Sequence, residues 1–147
     1  WFTTGTIAES SRETTIEICK FVPKDKYSVI VEYGMGHGNI TREILNAIDA
    51  TSRVYSFEIN KSFCEHVGNN INDDRLIIIN DSFFSKEKQL KIIQETYKKL
   101  SNNSYYSQLS YFKFNFKKFR LIFNSCFVKT TRNIPKAYIY HCKKEIN

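Results

Sequence analysis

The chain is poor in the residues that interrupt regular structure. Two prolines and five glycines serve 147 residues, and neither an internal repeat nor a low-complexity linker divides them, which excludes repeat arrays and modules strung on flexible tethers. Nowhere do apolar residues approach the roughly 18 consecutive positions of a membrane-spanning helix, and no basic start followed by an apolar core marks a signal peptide. The chain opens on Trp1 rather than Met, so residues upstream, a targeting segment among them, stay open. Cys19, Cys64, Cys126 and Cys142 form no C-x-x-C pair and have no histidine at ligand spacing. That pattern favours reduced thiols in a cytosolic protein over disulfides or zinc, and no metal site is expected.

The glycines that are present are concentrated. Gly34, Gly36 and Gly38 alternate within five residues, directly after the apolar run Val29-Ile30-Val31 and before a helical pattern in which Ile40, Ile44, Leu45 and Ile48 share one face. A strand that must turn sharply into a helix, with no Cβ in the way, lets the backbone approach a ligand closely. A second strand-like run, Arg53 to Glu58, ends in a carboxylate 24 residues beyond Gly34, where an acid suits the two free hydroxyls of a ribose. Strand, glycine turn, helix, strand and acid together read as a nucleoside cofactor cradle.

The details select among cofactors. A dinucleotide fingerprint asks for Gly or Ala five residues after its first Gly, for close packing of helix on strand, and Asn39 stands there. The spacing is instead Glu-x-Gly-x-Gly-x-Gly from Glu32 to Gly38. An acid two residues ahead of the turn fits a ligand with a cationic end, and S-adenosylmethionine, with its α-amino group and sulfonium, has that character.

On these residues the chain resembles the class I methyltransferases that use S-adenosylmethionine, and more narrowly the phospholipid N-methyltransferases, themselves similar to the ribosomal RNA adenine dimethylases. Gly5 to Arg12 looks like the segment that family carries ahead of its first strand, Arg132 to Tyr140 like its last hairpin, and Ile30 to Leu45, Tyr55 to Asn60 and Arg75 to Ser82 like the blocks between. The resemblance implies that Gly34, Gly36 and Gly38 underlie the methionine part, Glu32 orients its amino group, Glu58 holds the ribose, and Asp81 or Ser82 lies near the adenine. Two departures stand out. Tyr33, Met35 and His37 replace the Leu, Pro and Thr common in the family, leaving the glycines intact. After Ser82, where the family has a further helix, a fourth strand and a polar motif over the methyl acceptor, Phe83 to Gln89 follow at once. About 25 residues are missing there by the usual length of an αβ unit.

The fold expected is a doubly wound, Rossmann-like α/β domain over residues 1–147, with a segment absent after Ser82. It divides into a leading helical segment (1–22), a cofactor-binding half (28–82) and a C-terminal half (83–147). A domain of this length buries about 70% of its extended-chain surface. The pattern predicts helices over Glu9–Phe21 (capped by Ser10 or Ser11), Ser62–Asn70 and Lys86–Leu100. It predicts parallel strands at Val29–Tyr33, Arg53–Glu58 and a fully buried Leu76–Ile79. Three more strands, Tyr105–Phe112, Leu121–Lys129 and Lys136–Cys142, follow, the last two pairing as an antiparallel hairpin.

Charge separates the halves. Residues 1–85 carry a balance of −4 and residues 86–147 of +11. The basic half, interleaved with Tyr105, Tyr106, Tyr111, Phe112, Phe114, Phe116 and Phe119, suits an anionic surface, either phospholipid headgroups or an RNA backbone. The expectation is an N-methyltransferase for the amine of a phospholipid such as phosphatidylethanolamine, cytoplasmic and peripheral at the inner membrane surface. Alternatives are an rRNA adenine N6-methyltransferase, whose base-stacking aromatic motif is not present, and a truncated cofactor-binding remnant without catalysis. No catalytic residue is assigned: His37 reads better as a surface loop histidine than as a base or a contact to the cofactor carboxylate, Tyr33 either lines the acceptor pocket or packs under the helix, Tyr138 and Tyr140 read better as packing rings than as headgroup contacts, and His66 and His141 have no partner spacing. Oligomeric state is not encoded legibly.

Overall fold

Alternating apolar and capping signals set the order of elements in the computed structural model, which describes residues 10–81, 86–111 and 119–145. They are α1 (Arg12–Ile18), β1 (Val29–Tyr33), α2 (Asn39–Ala47), β2 (Arg53–Glu58), α3 (Lys61–Asn70), β3 (Leu76–Asn80), α4 (Lys86–Lys99), β4 (Tyr105–Ser110), β5 (Ser125–Thr131) and β6 (Ala137–Lys143). The chain forms two compact units, one built on Val22–Phe83 and one on Ser11–Phe21 with Phe84–Asn147. The assignment to Ser82, the segment Gly5 to Glu9 and the aromatics Phe112, Phe114 and Phe116 lie outside the described residues.

In the first unit β1, β2 and β3 form a parallel sheet in that order, with Val29 opposite Arg53 and Val54 opposite Leu76. Strand starts are aligned by the Ser28 N–H, which donates to Ser52 Oγ at 3.0 Å, and by the Arg53 N–H, which donates to Ser28 O at 2.9 Å. Helix α2 buries Ile44, Leu45 and Ile48, as its periodicity predicts. Asn60 caps α3 by accepting the Ser62 N–H at 3.0 Å, and Val67 from that helix is fully buried, like Val54 of β2. Arg75 clamps the turn into β3, pairing with Asp73 at 2.6 Å and donating to Ile48 O at 3.0 Å. One expectation fails: Leu76–Ile79 is half-buried rather than fully buried. Among the described residues β3 pairs with β2 alone, so it lies at an edge of the three-stranded sheet. Among the described residues β1 pairs with β2 alone, and Val29 and Val31 are exposed.

The second unit is an antiparallel sheet ordered β4-β6-β5, with the expected β5–β6 hairpin and β6 buried in the middle. Tyr140 and Cys142 of β6 pack with Ile93 of α4, Phe119 and Phe123. Another ring cluster forms where Phe21 stacks on Tyr105 at 4.0 Å and meets His141 edge-on at 4.9 Å. Helix α1 is shorter than predicted, and Ser11 rather than Ser10 is its cap. The Ser11 N–H donates to Asn133 Oδ1 at 2.7 Å, its hydroxyl donates to Arg132 O at 2.9 Å, and the buried hydroxyls of Thr14 and Thr131 share a 2.6 Å hydrogen bond. Strand β5 begins later than Leu121. Residues 119–123 curl instead into a helical turn, with the Phe123 N–H donating to Phe119 O at 2.8 Å, and this delivers Phe123 wholly into the core.

Candidate cofactor-binding site

Parallel strands bring their C-terminal ends to one side of the sheet, and in open α/β sheets that rim is where ligands bind. The register puts Glu32 opposite Ser56, Tyr33 opposite Phe57, and Glu58 opposite Asn80. Glu32, the glycine turn, Glu58 and Asp81 are therefore delivered to one rim by three adjacent strands. Of the residues singled out in sequence, Glu32, Gly34, Gly36, Gly38 and Glu58 form one structure; Asp81 is exposed just beyond the end of β3.

The turn leaves β1 through Gly34, whose N–H donates to Phe57 O at 2.7 Å and so extends the ladder by one rung. All three glycines have positive φ (77°, 52° and 85°), a region costly for other residues. Their surroundings differ. A Cβ on Gly34 or Gly36 would meet nothing within 4 Å, whereas one on Gly38 would lie 3.1 Å from both Val67 Cγ2 and Ile71 Cδ1. Gly34 and Gly36 thus border open space, while Gly38 lets the start of α2 pack closely on α3. Gly38 is also the N-cap of α2 and makes no side-chain capping hydrogen bond to that helix.

Two carboxylates hold this turn. Glu58 is buried and uses both oxygens: Oε2 accepts the Gly36 N–H at 3.1 Å and Oε1 accepts the Asn60 N–H at 2.9 Å. A carboxylate has about four acceptor sites, so two remain for hydroxyl donors. Glu32 is buried, and its Oε2 accepts from Ser56 Oγ at 2.6 Å and Thr41 Oγ1 at 2.8 Å. Its Oε1 is equally buried and has no partner. Burial pushes the Glu32 carboxyl above the usual carboxylate range; the Ser56 and Thr41 hydrogen bonds draw it back, and the nearby Glu58 charge raises it further. A buried acceptor left unmade costs about 1–3 kcal/mol, so Oε1 is poised for a donor or cation.

Three contributors escape a linear reading. Thr41 and Ser56, which fix Glu32, lie on other elements and become its neighbours only through strand register and the start of α2. Asn80 Nδ2 donates to Glu58 O at 2.9 Å and to Ile59 O at 3.2 Å, tying β3 to the end of β2 beneath the site. His37 is exposed in the turn, with its ring 4.7 Å from Phe63 and 5.7 Å from His66, so these aromatic side chains gather on α3 beside the glycines.

The second unit holds a buried polar group that also has no linear signature. His141 is fully buried; Nδ1 is 2.8 Å from Ser107 Oγ, and Nε2 faces Glu17 Oε1 at 3.5 Å. Burial depresses its pKa, and the Glu17 charge opposes that shift. Serine, imidazole and carboxylate follow one another as in a nucleophilic relay, yet the imidazole is sealed among Phe21 and Phe127, so it joins α1 to the sheet. Tyr140 is buried in the core and Tyr138 packs against it, so both rings are structural. Among the described residues no group of three or more His, Cys, Asp or Glu could hold a metal, and no helix is long and apolar enough to cross a membrane.

No protein-family model matches the chain, and no curated protein does. Solved structures do. A precorrin-6y C5,15-methyltransferase from Geobacter metallireducens is similar at 12% identity and a TM-score of 0.78, covering 95% of this chain and 94% of that one. An S-adenosylmethionine-dependent O-methyltransferase from Thermotoga maritima is similar at 10% identity and a TM-score of 0.70, over 97% of this chain and 69% of that one. A third similar protein, from Aquifex aeolicus, is an S-adenosylmethionine-dependent methyltransferase with 10% identity, a TM-score of 0.61, and coverage of 87% and 88%. At such identities the likeness establishes the fold: a Rossmann-like α/β methyltransferase architecture, with the parallel sheet β1-β2-β3 followed by antiparallel strands.

Proposed function

We propose that this protein is an S-adenosylmethionine-dependent N-methyltransferase whose acceptor is the amine of a phospholipid headgroup, acting peripherally at an anionic membrane surface. The observation that carries the cofactor reading is the unpartnered Oε1 of buried Glu32 beside a glycine turn that borders open space. S-adenosylmethionine fits this donor set: its α-ammonium complements Glu32, its ribose hydroxyls suit the free acceptor sites of Glu58, and Gly34 and Gly36 leave room for its backbone-like methionine part. Asp81, beyond β3, is the residue available to the adenine edge, with Ser82 next in the chain.

When bound, the cofactor supplies an electrophilic methyl group on a sulfonium. The protein's own work is then alignment. Thr41 and Ser56 hold Glu32 in a fixed rotamer, and the Gly36 and Asn60 N–H groups do the same for Glu58, so a ligand meets preset acceptors. In-line displacement by a neutral amine needs no strong base, and the site presents none.

The acceptor reading rests on the second unit. A cavity of about 660 Å³ is bordered there by Glu13, Thr130, Thr131, Arg132, Asn133, Ile134 and Lys136. Arg132 and Lys136 suit a phosphodiester, and Ile134 between them is 91% exposed, which suits acyl chains better than a nucleic-acid backbone. Incubation with radiolabelled S-adenosylmethionine tests the proposal, offering phosphatidylethanolamine liposomes or ribosomal RNA as acceptor. Label in lipid is the expected result; label in RNA overturns the acceptor, and calorimetry showing no cofactor binding overturns the whole reading.

A further inference from the structure

Cys126 of β5 and Cys142 of β6 are direct cross-strand partners in the antiparallel ladder. Directly opposed residues in such a ladder have Cα atoms about 4.5–5.5 Å apart, inside the roughly 4.4–6.8 Å window over which two cysteines can be bridged. Their side chains share one face of the sheet: Cys142 sits among Ile93, Phe119, Phe123 and Tyr140, and Cys126 packs against the same cluster. Cross-strand pairing and a shared cluster thus set the two thiols side by side. Both are reduced.

The pair is asymmetric in a useful way. Cys142 has no exposure, whereas Cys126 is on an outer strand and partly accessible. The neighbouring Cys142 thiol lowers the Cys126 pKa, burial raises it, and the positive charge of Arg120 lowers it again, for a net fall. The Cys126 thiol beside it and burial push the Cys142 thiol up. A partly exposed, electropositive cysteine beside a second thiol is the arrangement of an oxidisable pair.

We propose that Cys126 and Cys142 form a reversible oxidation site for small hydroperoxides, closing into a cross-strand disulfide. The Cys126 thiolate attacks a peroxide oxygen; the S–O bond forms as the O–O bond breaks, and the leaving oxygen departs as water after taking a proton. Cys126 is then a sulfenic acid. The Cys142 sulfur attacks it, the S–S bond forms, the S–O bond breaks, and the hydroxyl leaves as water with the Cys142 proton. Two thiols and one hydrogen peroxide thus yield one disulfide and two waters, sulfur losing the two electrons that the peroxide gains. Cys64, hydrogen-bonded near Asn80 in the first unit, has its thiol raised chiefly by burial and serves as an internal comparison.

The test is to treat the folded, full chain with stoichiometric hydrogen peroxide, block residual thiols with N-ethylmaleimide, and digest without reductant. The expected result is an intact mass lowered by two hydrogens before alkylation and, after digestion, a peptide joining Cys126 to Cys142, both reversed by dithiothreitol. Cys126→Ser should abolish the joined peptide, and Cys142→Ser should leave a sulfenic acid at Cys126 that dimedone traps. Four outcomes would overturn the proposal: both thiols still alkylated, Cys126 advancing to sulfinic acid in the unmodified chain, a bridge to Cys19 or Cys64, or bridging seen only in denaturant.

Discussion

Glu32 in the first unit and His141 in the second are both buried titratable groups, and the two are treated differently. In the first, Glu32 is fastened by two hydroxyls yet keeps one oxygen unmatched beside a glycine turn that borders open space. In the second, His141 has Ser107 on one nitrogen and Glu17 opposite the other, and aromatic rings close over it. Burying a polar group is costly in both places. Both leave an atom unmatched: His141 Nε2 and Glu17 Oε1 face each other without a hydrogen bond, and Glu32 Oε1 has no partner. What differs is the neighbourhood, aromatic rings around the imidazole and a glycine turn bordering open space two residues after the glutamate.

The sharpest way to break this comparison is Gly36→Val. The substitution places a branched side chain in the open space and at a φ of 52°. Detectable S-adenosylmethionine binding in calorimetry should vanish, while circular dichroism of the chain stays similar. Ile139→Ala attacks the sealed unit instead. That residue is fully buried on the central strand, so the loss should be about 2–5 kcal/mol, read as a lower denaturation midpoint. Glu58→Ala comes next, weakening cofactor affinity by about 1–3 kcal/mol, since it removes ribose acceptors together with the anchor of the Gly36 N–H. Unchanged affinity would show that Glu58 only shapes the turn.

The smallest effect is the most discriminating, because the two buried groups act on the pH profile with opposite sign. Glu32 has its pKa raised above the ordinary 4.5, so the folded chain holds a proton that the unfolded chain releases, and stability falls as pH rises from 4.5 through the raised value. His141 has its pKa lowered below the ordinary 6.5, so the unfolded chain binds the extra proton, and stability falls as pH drops from 6.5 through the depressed value. Thermal melts between these limits should therefore show partial cancellation. Glu32→Gln should make stability climb more steeply with pH there, and His141→Asn should turn the slope downward. Equal slopes in all three proteins would show that neither group titrates on unfolding.

Much of this was legible in the chain because the signals are local. Val29–Tyr33 and Arg53–Glu58 emerge with the predicted bounds, since apolar runs bounded by turn residues leave little freedom. The glycine turn was equally plain: Gly34 and Gly36 need positive φ, and alternation with larger residues marks the need. Long-range pairing was not legible. Nothing near Glu32 in sequence announces Ser56, which arrives through the β1–β2 register, and nothing near His141 announces Glu17, which lies over a hundred positions earlier. Leu121 misled for a related reason: its apolar neighbours belong to a helical turn that serves the core, a distinction set by tertiary contact rather than by β propensity.

The tie between Ser11 and Asn133, with Thr14 against Thr131, has a consequence for biosynthesis. The ribosome delivers α1 more than a hundred residues ahead of its binding strands. At about 5–20 residues per second, the nascent helix waits on the order of ten seconds before β5 and β6 emerge. A seven-residue helix cannot persist alone in water for that interval. The second unit therefore closes only after β6 has been made, while the residues of the first unit are all translated well before it.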